Sequence, residues 1–177
     1  RGYNNMPGIF NQTTLSNGIH VVTEEIPHLR SVAVGIMVGL GSKDELEADS
    51  GVSHFIEHMS FKGTATRTAF DIAESLDAVG GKINAHTSKE YTSYYAVVLD
   101  THVDLALNIL SDIYLNSVFD ENEMKTEKKV VIEEINMYED TPDELIHDLS
   151  AQNIWHEHPL GRAIIGHKKA IHDLERK

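Results

Sequence analysis

The stretch His54-Phe55-Ile56-Glu57-His58 most limits how this chain can fold. At about 100° per residue on a helix, His58 lies about 40° from His54, and Glu57 about 60° away on the other side. Two imidazoles and a carboxylate therefore share one face. Val52, Phe55, Ile56 and Met59 fall on the opposite face, within about a 100° arc. Such a helix needs a core on one side and an opening on the other. Histidines four apart can grip one divalent ion, and the adjacent carboxylate can act on a water beside it. Two histidines do not complete a catalytic site, which usually has three protein ligands. A third has to come from another rigid element.

The pattern around this helix alternates hairpins and helices. Asn17-Gly18 between apolar alternations predicts a hairpin, out along Thr13-Thr14-Leu15 and back along 19–24. Residues Arg1 to Asn11 have no periodic pattern and read as a leader or loose arm, with the domain beginning near Thr13. Ser31 to Leu40 reads as a central strand. Thr68 caps a helix over 69–79 that Gly80-Gly81 closes. Two β-rich runs, 82–87 and 91–99, follow. A helix over 101–116 presents Val103, Leu107 and Leu110. Asp120 starts a long helix to about Tyr138, and Thr141-Pro142 starts another to about Trp155. Residues 156–166 read as loop with a possible short strand, and 168–177 as the start of a helix. Without regular βαβ spacing, the expected class is α+β, a largely antiparallel sheet with helices packed on it.

The long helix offers Glu127, Glu133 and Glu134 as third ligand. Seven residues apart, Glu127 and Glu134 share a face within about 20°, whereas Glu133 points about 100° away from Glu134. Spacing nominates the Glu127/Glu134 face and leaves the choice between them open.

Composition narrows the partners. A formal charge of −13 over 177 residues argues against a general nucleic-acid binder and suits a basic peptide. No apolar run reaches the roughly 20 residues that span a bilayer. With no cysteine, a transition-metal site must use His and carboxylate; the absence also fits a reducing compartment. His86 shares a strand face with Asn84 and reads as an exposed bystander. His156 and His158 read as surface residues, and His167 and His172, five apart and on different helix faces, make no site.

H-x-x-E-H is the inverted zinc-hydrolase signature. Together with Glu134, 76 positions after His58 (58 to 134), it resembles the amino-terminal part of the pitrilysin/insulinase-type metallopeptidases. The chain is similar above all to bacterial processing-protease-like members and the mitochondrial processing peptidase beta (catalytic) subunit. Phe61-Lys62-Gly63-Thr64, Val79-Gly80-Gly81, Asn84-Ala85-His86-Thr87, Tyr94-Tyr95-Ala96 and Pro159-Leu160-Gly161-Arg162 carry the resemblance through nearly the whole chain. It implies a zinc-dependent endopeptidase acting on unfolded or presequence-like peptides. Zn²⁺ would be held by His54, His58 and Glu134, with zinc-bound water activated by Glu57. Glu127 would support the ligands, and Asn84 and Ala85 would pair with substrate backbone. It also implies a second homologous domain or subunit, so that this chain would be a partial N-terminal zinc-binding domain, and a cytoplasmic or mitochondrial-matrix setting. The competing reading is a non-catalytic peptide-binding or assembly subunit, or a fragment inactive without its second domain. Such subunits typically lose a ligand or the base, and here all four residues are present.

Overall fold

The computed structural model describes residues 8–176. Strands β1 (Ile9–Thr14) and β2 (His20–Glu25) form an antiparallel hairpin with Ile9 opposite Glu25 and Thr14 opposite His20. Gly18 turns at φ +89°, and Ile19 N–H donates to Asn17 Oδ1 at 3.2 Å. The turn is the expected one, but β1 starts four residues before Thr13. Backbone pairing with β2 recruits Ile9–Gln12, whose mixed side chains carry no strand period. Residues 1–7 of the expected arm lie outside the described residues.

The second sheet has strand order β3-β5-β4, antiparallel throughout, from β3 (Ser31–Val38), β4 (Lys82–Thr87) and β5 (Thr92–Leu99). Tyr94, Ala96 and Val98 on one face of β5 are buried. Against that face pack α2 (Ala69–Asp77), through Ile72 and Leu76, and α3 (Val103–Asn116), through Ala106, Ile109, Leu110 and Ile113. Of the face expected for α3, Leu110 is buried and Val103 packs against the core, whereas Leu107 is 42% exposed. The inward side runs through Ala106, Ile109, Leu110 and Ile113, and Leu107 falls just outside it. Thr68 caps α2 reciprocally, accepting from Asp71 N–H at 3.1 Å while Asp71 Oδ2 accepts from Thr68 N–H at 2.8 Å.

A second core joins α1 (Val52–Ser60) to α4 (Glu121–Glu139) through Phe55, Met59, Val131, Ile135 and Ile171. Ile171 comes from α6 (Lys168–Asp173). Ile56, expected on the buried face, is 40% exposed. The helix leans on α4 through Phe55 and Met59, leaving Ile56 at the rim of a shallow apolar groove with Val52, Phe119, Met124 and Leu174. After α4, Pro142 opens α5 (Pro142–Ile154). Residues 159–161 form a 3₁₀ turn, and 156–166 contain no strand. No described helix is long and apolar enough to cross a membrane.

Candidate metal centre

The placement of α1 begins outside it. Its free N–H groups at Gly51 and Ser53 donate to the Glu45 carboxylate at 2.7 and 2.8 Å, which also sets a negative charge at the positive end of the helix. Gly51 (φ +94°) and Gly166 (φ +79°) cross so closely that a Cβ on Gly166 would stand 2.2 Å from Ser50 O. Arg162 donates to Glu45 O at 2.6 Å and pairs with Glu47 at 3.0 Å. Lys89, in the β4–β5 turn, donates to Leu160 O and Arg162 O. The Pro-Leu-Gly-Arg segment is thus a brace for the start of α1.

On that braced helix His54 and His58 face Glu134 of α4. His54 Nε2 lies 3.9 Å from Glu134 Oε1, and His58 Nε2 lies 3.5 Å from Glu134 Oε2. The imidazole centroids are 4.5 Å apart at 63°. One ligand atom from each of the three residues falls within 4.8 Å of the others. Burial, and then the neighbouring His58, push His54 down to about 4 against the opposing pull of Glu57. His54 is therefore neutral at pH 7 and keeps a lone pair. Its Nδ1 is buried with no hydrogen-bond partner among the described residues, while Nε2 is aimed at Glu134. A neutral His54, a second imidazole and a carboxylate converging this way suit a zinc-type ion.

Glu127 and Glu134 take different places beside the histidines. Glu127, buried at 4% exposure, sits beneath the cluster with Oε1 2.9 Å from His58 Nδ1 and Oε2 2.6 Å from Lys62 Nζ. Burial raises the Glu127 pKa, but the hydrogen bonds and charges of Lys62 and His58 outweigh it and hold it below the ordinary value. Accepting the Nδ1 proton leaves the His58 Nε2 lone pair free. Glu133 is exposed and bonds Asn136.

Glu57 projects from α1 toward β4, where the hydroxyl of buried Thr87 donates to its Oε2. Both residues line a cavity of about 300 Å³ with His54, Glu134, His86, Tyr138, Glu144 and Asp148. Asn84 and Ala85 lie three and two residues before Thr87, on the side of β4 that no described strand covers. Asn84 Oδ1 accepts the Ala85 N–H at 2.9 Å. In the same strand His86, expected as a bystander, reaches the cavity wall. His156 and His158 are exposed, as expected.

Sequence reasoning missed Lys62, Thr87 and the acidic wall of α5. Glu144 and Asp148, four apart and therefore on one helix face, were the available signal for the wall. Lys62 and Thr87 were visible only as parts of matching tetrapeptides.

The family model described as insulinase (peptidase family M16) matches residues 20–168. This chain belongs to that family. A Bacillus subtilis relative named uncharacterized zinc protease YmxG is 52% identical over 158 residues, spanning 89% of this chain and 39% of that protein. An uncharacterized zinc protease of Mycobacterium leprae is 44% identical over 93% of this chain and 37% of its own. This M16 chain thus spans less than half the length of these relatives. Among solved structures, a Helicobacter pylori protease matches with TM-score 0.90 at 25% identity, over 95% of this chain and 41% of that one. Pitrilysin matches with TM-score 0.81 at 26% identity, over 97% and 18%. The M16 fold also occurs in a Pseudomonas fluorescens structure titled a peptidase M16 inactive domain, TM-score 0.85 at 18% identity, over 94% of this chain and 41% of that one.

Proposed function

We propose that this chain carries the zinc site and general base of an endopeptidase that hydrolyses peptide bonds in unfolded, basic or presequence-like segments. The convergence of His54, His58 and Glu134 within 4.8 Å, with Glu57 on the same cavity, carries the reading. His54 and His58 would hold Zn²⁺ through Nε2 and Glu134 through a carboxylate oxygen. Bound zinc supplies a polarised water and a positive charge beside the developing oxyanion. Glu57 takes the proton of the attacking water and delivers it to the leaving amine. Thr87 holds one Glu57 oxygen and so leaves the other free for that transfer. Glu127 keeps His58 in the ligating tautomer. Substrate backbone would add as a strand beside Asn84 and Ala85, displacing the Asn84 carbonyl from the Ala85 N–H. Glu144 and Asp148, beside Glu134 on the cavity wall, favour a basic side chain there.

Because the relatives are more than twice as long, the activity is proposed for the full-length protein, with a second homologous domain closing the site. The test uses that protein, an unfolded basic peptide and a chelator, beside Glu57→Gln. The parent should cleave in a chelator-sensitive way. The variant should keep one zinc and cleave about 10³-fold more slowly, within the range of general acid–base catalysis. Undiminished cleavage by the variant would overturn the mechanism. A zinc-loaded parent that binds the peptide without cutting it would favour a peptide-holding subunit.

A further inference from the structure

We propose that Lys62 is a positioning residue for the metal site, acting on His58 through Glu127; the proposal rests on the zinc-site reading above. Lys62 follows α1, its N–H donating to Met59 O at 3.1 Å, so its ammonium starts from the frame that carries His58. It reaches Glu127 Oε2 at 2.6 Å, while Glu127 Oε1 meets His58 Nδ1 at 2.9 Å. Each carboxylate oxygen thus has its own partner. The chain Lys62–Glu127–His58 links the end of α1 to the second turn of α4.

The consequence is a fixed tautomer. A buried carboxylate without a countercharge is expensive and tends to rotate toward water or another donor. With Lys62 on one oxygen, the other stays on His58, which keeps its proton on Nδ1 and its lone pair on Nε2. That nitrogen stands 3.5 Å from Glu134. The sign of the effect separates positioning from plain charge. Lys62 adds a positive charge near a cluster containing Glu57, Glu127 and Glu134, so by Coulomb's law alone its removal should tighten cation binding. Positioning requires the opposite.

Zinc dissociation constants by chelator competition at pH 8 provide one test, in full-length parent, Lys62→Met, Lys62→Arg, Glu127→Gln and the Met/Gln double variant. Lys62→Met is expected to weaken zinc about tenfold, the low end for loss of a ligand's outer partner. Lys62→Arg should recover most of that loss. The double variant should be no weaker than Glu127→Gln alone, because the lysine acts only through the glutamate. An independent arm uses metal-free protein labelled with ¹⁵N-histidine. Two-bond ¹H–¹⁵N correlations should show His58 in the Nδ1–H tautomer in the parent and a mixture in Lys62→Met. Unchanged or tighter zinc binding in Lys62→Met, additive losses in the double variant, or an unaltered tautomer would each overturn the proposal. A parent that binds no zinc would sink the zinc-site reading, while the tautomer arm would still decide the role of Lys62.

Discussion

Two charged clusters sit within this fold, and they are built on opposite plans. Asp112 of α3, 7% exposed, uses both of its oxygens. Oδ2 accepts from the Thr64 hydroxyl at 2.8 Å, the Thr66 hydroxyl at 3.2 Å and the Arg67 guanidinium; Oδ1 accepts from the Asn116 amide at 2.9 Å. Burial pushes its carboxyl up, yet the bonds from Asn116, Thr64 and Arg67, with the Arg67 charge, hold it at about 2. The His54–His58–Glu134 cluster instead leaves polar atoms idle. His54 Nδ1 has no partner among the described residues, and Glu134 is half-exposed on a cavity of about 300 Å³. A cluster that satisfies itself is a clasp, here fastening residues 64–67 to α3. A convergent cluster that does not satisfy itself is arranged for something else.

Exchanging the damage should therefore separate the two. Asp112→Ala strands the Arg67 charge and should cost about 3 kcal/mol of folding stability, as for breaking a buried ion pair. Zinc affinity of the folded variant should stay within about threefold, since the two clusters have no hydrogen-bond or ion-pair partner in common. Glu134→Ala should shift metal-free stability by less than about 1 kcal/mol, in keeping with a half-exposed carboxylate. It should nevertheless lower zinc affinity by more than the about 100-fold that loss of an outer partner can cost. Urea unfolding of metal-free protein and chelator competition give the four numbers. A similar profile for both variants would erase the distinction.

The clusters should also fail in different pH windows. His54 titrates near 4 in the folded chain against an ordinary 6.5, so between these values the unfolded chain binds the extra proton. Metal-free stability should then be intact above about pH 6.5 and decline as pH falls toward 4, by up to about 3 kcal/mol. Asp112 titrates near 2 against 3.8, so its contribution is present above about pH 4 and is lost as pH falls toward 2. Urea midpoints against pH for the parent, His54→Ala and Asp112→Ala check this. The first variant should flatten the upper window only and the second the lower only. A parent curve flat between pH 6.5 and 4 would contradict the burial of His54.

The functional helix was more legible than the parts that restrain it. Two histidines and a glutamate on one face are a consequence of helical geometry, and the spacing to Glu134 is countable along the chain. Thr68 and Asp120 likewise announced their helices, because a cap acts within three residues. What the pattern could not show was contact over long separation. Lys62 meets Glu127 and Thr87 meets Glu57 only once α1 is seated against both α4 and β4. The buried face of α3 was only partly placed for a related reason. Leu107 and Tyr114 extend the apolar surface of this helix past its buried face, and the sheet decides where the inward side ends. Pairing with β2 similarly pulled β1 back to Ile9 without an apolar period to mark it.

The smallest predicted effect concerns the outer wall of the metal cavity, where the contrast with the Asp112 clasp should persist. Glu144 is exposed and Asp148 half-buried; neither has a cationic partner among the described residues. Burial, then the charge and hydrogen bond of Asp148 and the charge of Glu144, raise the Tyr138 pKa, and all three side chains line the cavity. Tyr138 Oη also donates to Glu144 O at 3.0 Å, tying the start of α5 to α4. Acids held toward a cavity without cations of their own are free to pair with a basic substrate side chain. Glu144→Gln and Asp148→Asn should each raise KM for a basic peptide about threefold, the worth of a partly exposed ion pair, and leave kcat unchanged. The effect should shrink in high salt and be absent for a neutral peptide of the same length. Equal losses on the neutral peptide, or a fall in kcat, would mean that these acids hold α5 in place as Asp112 holds residues 64–67.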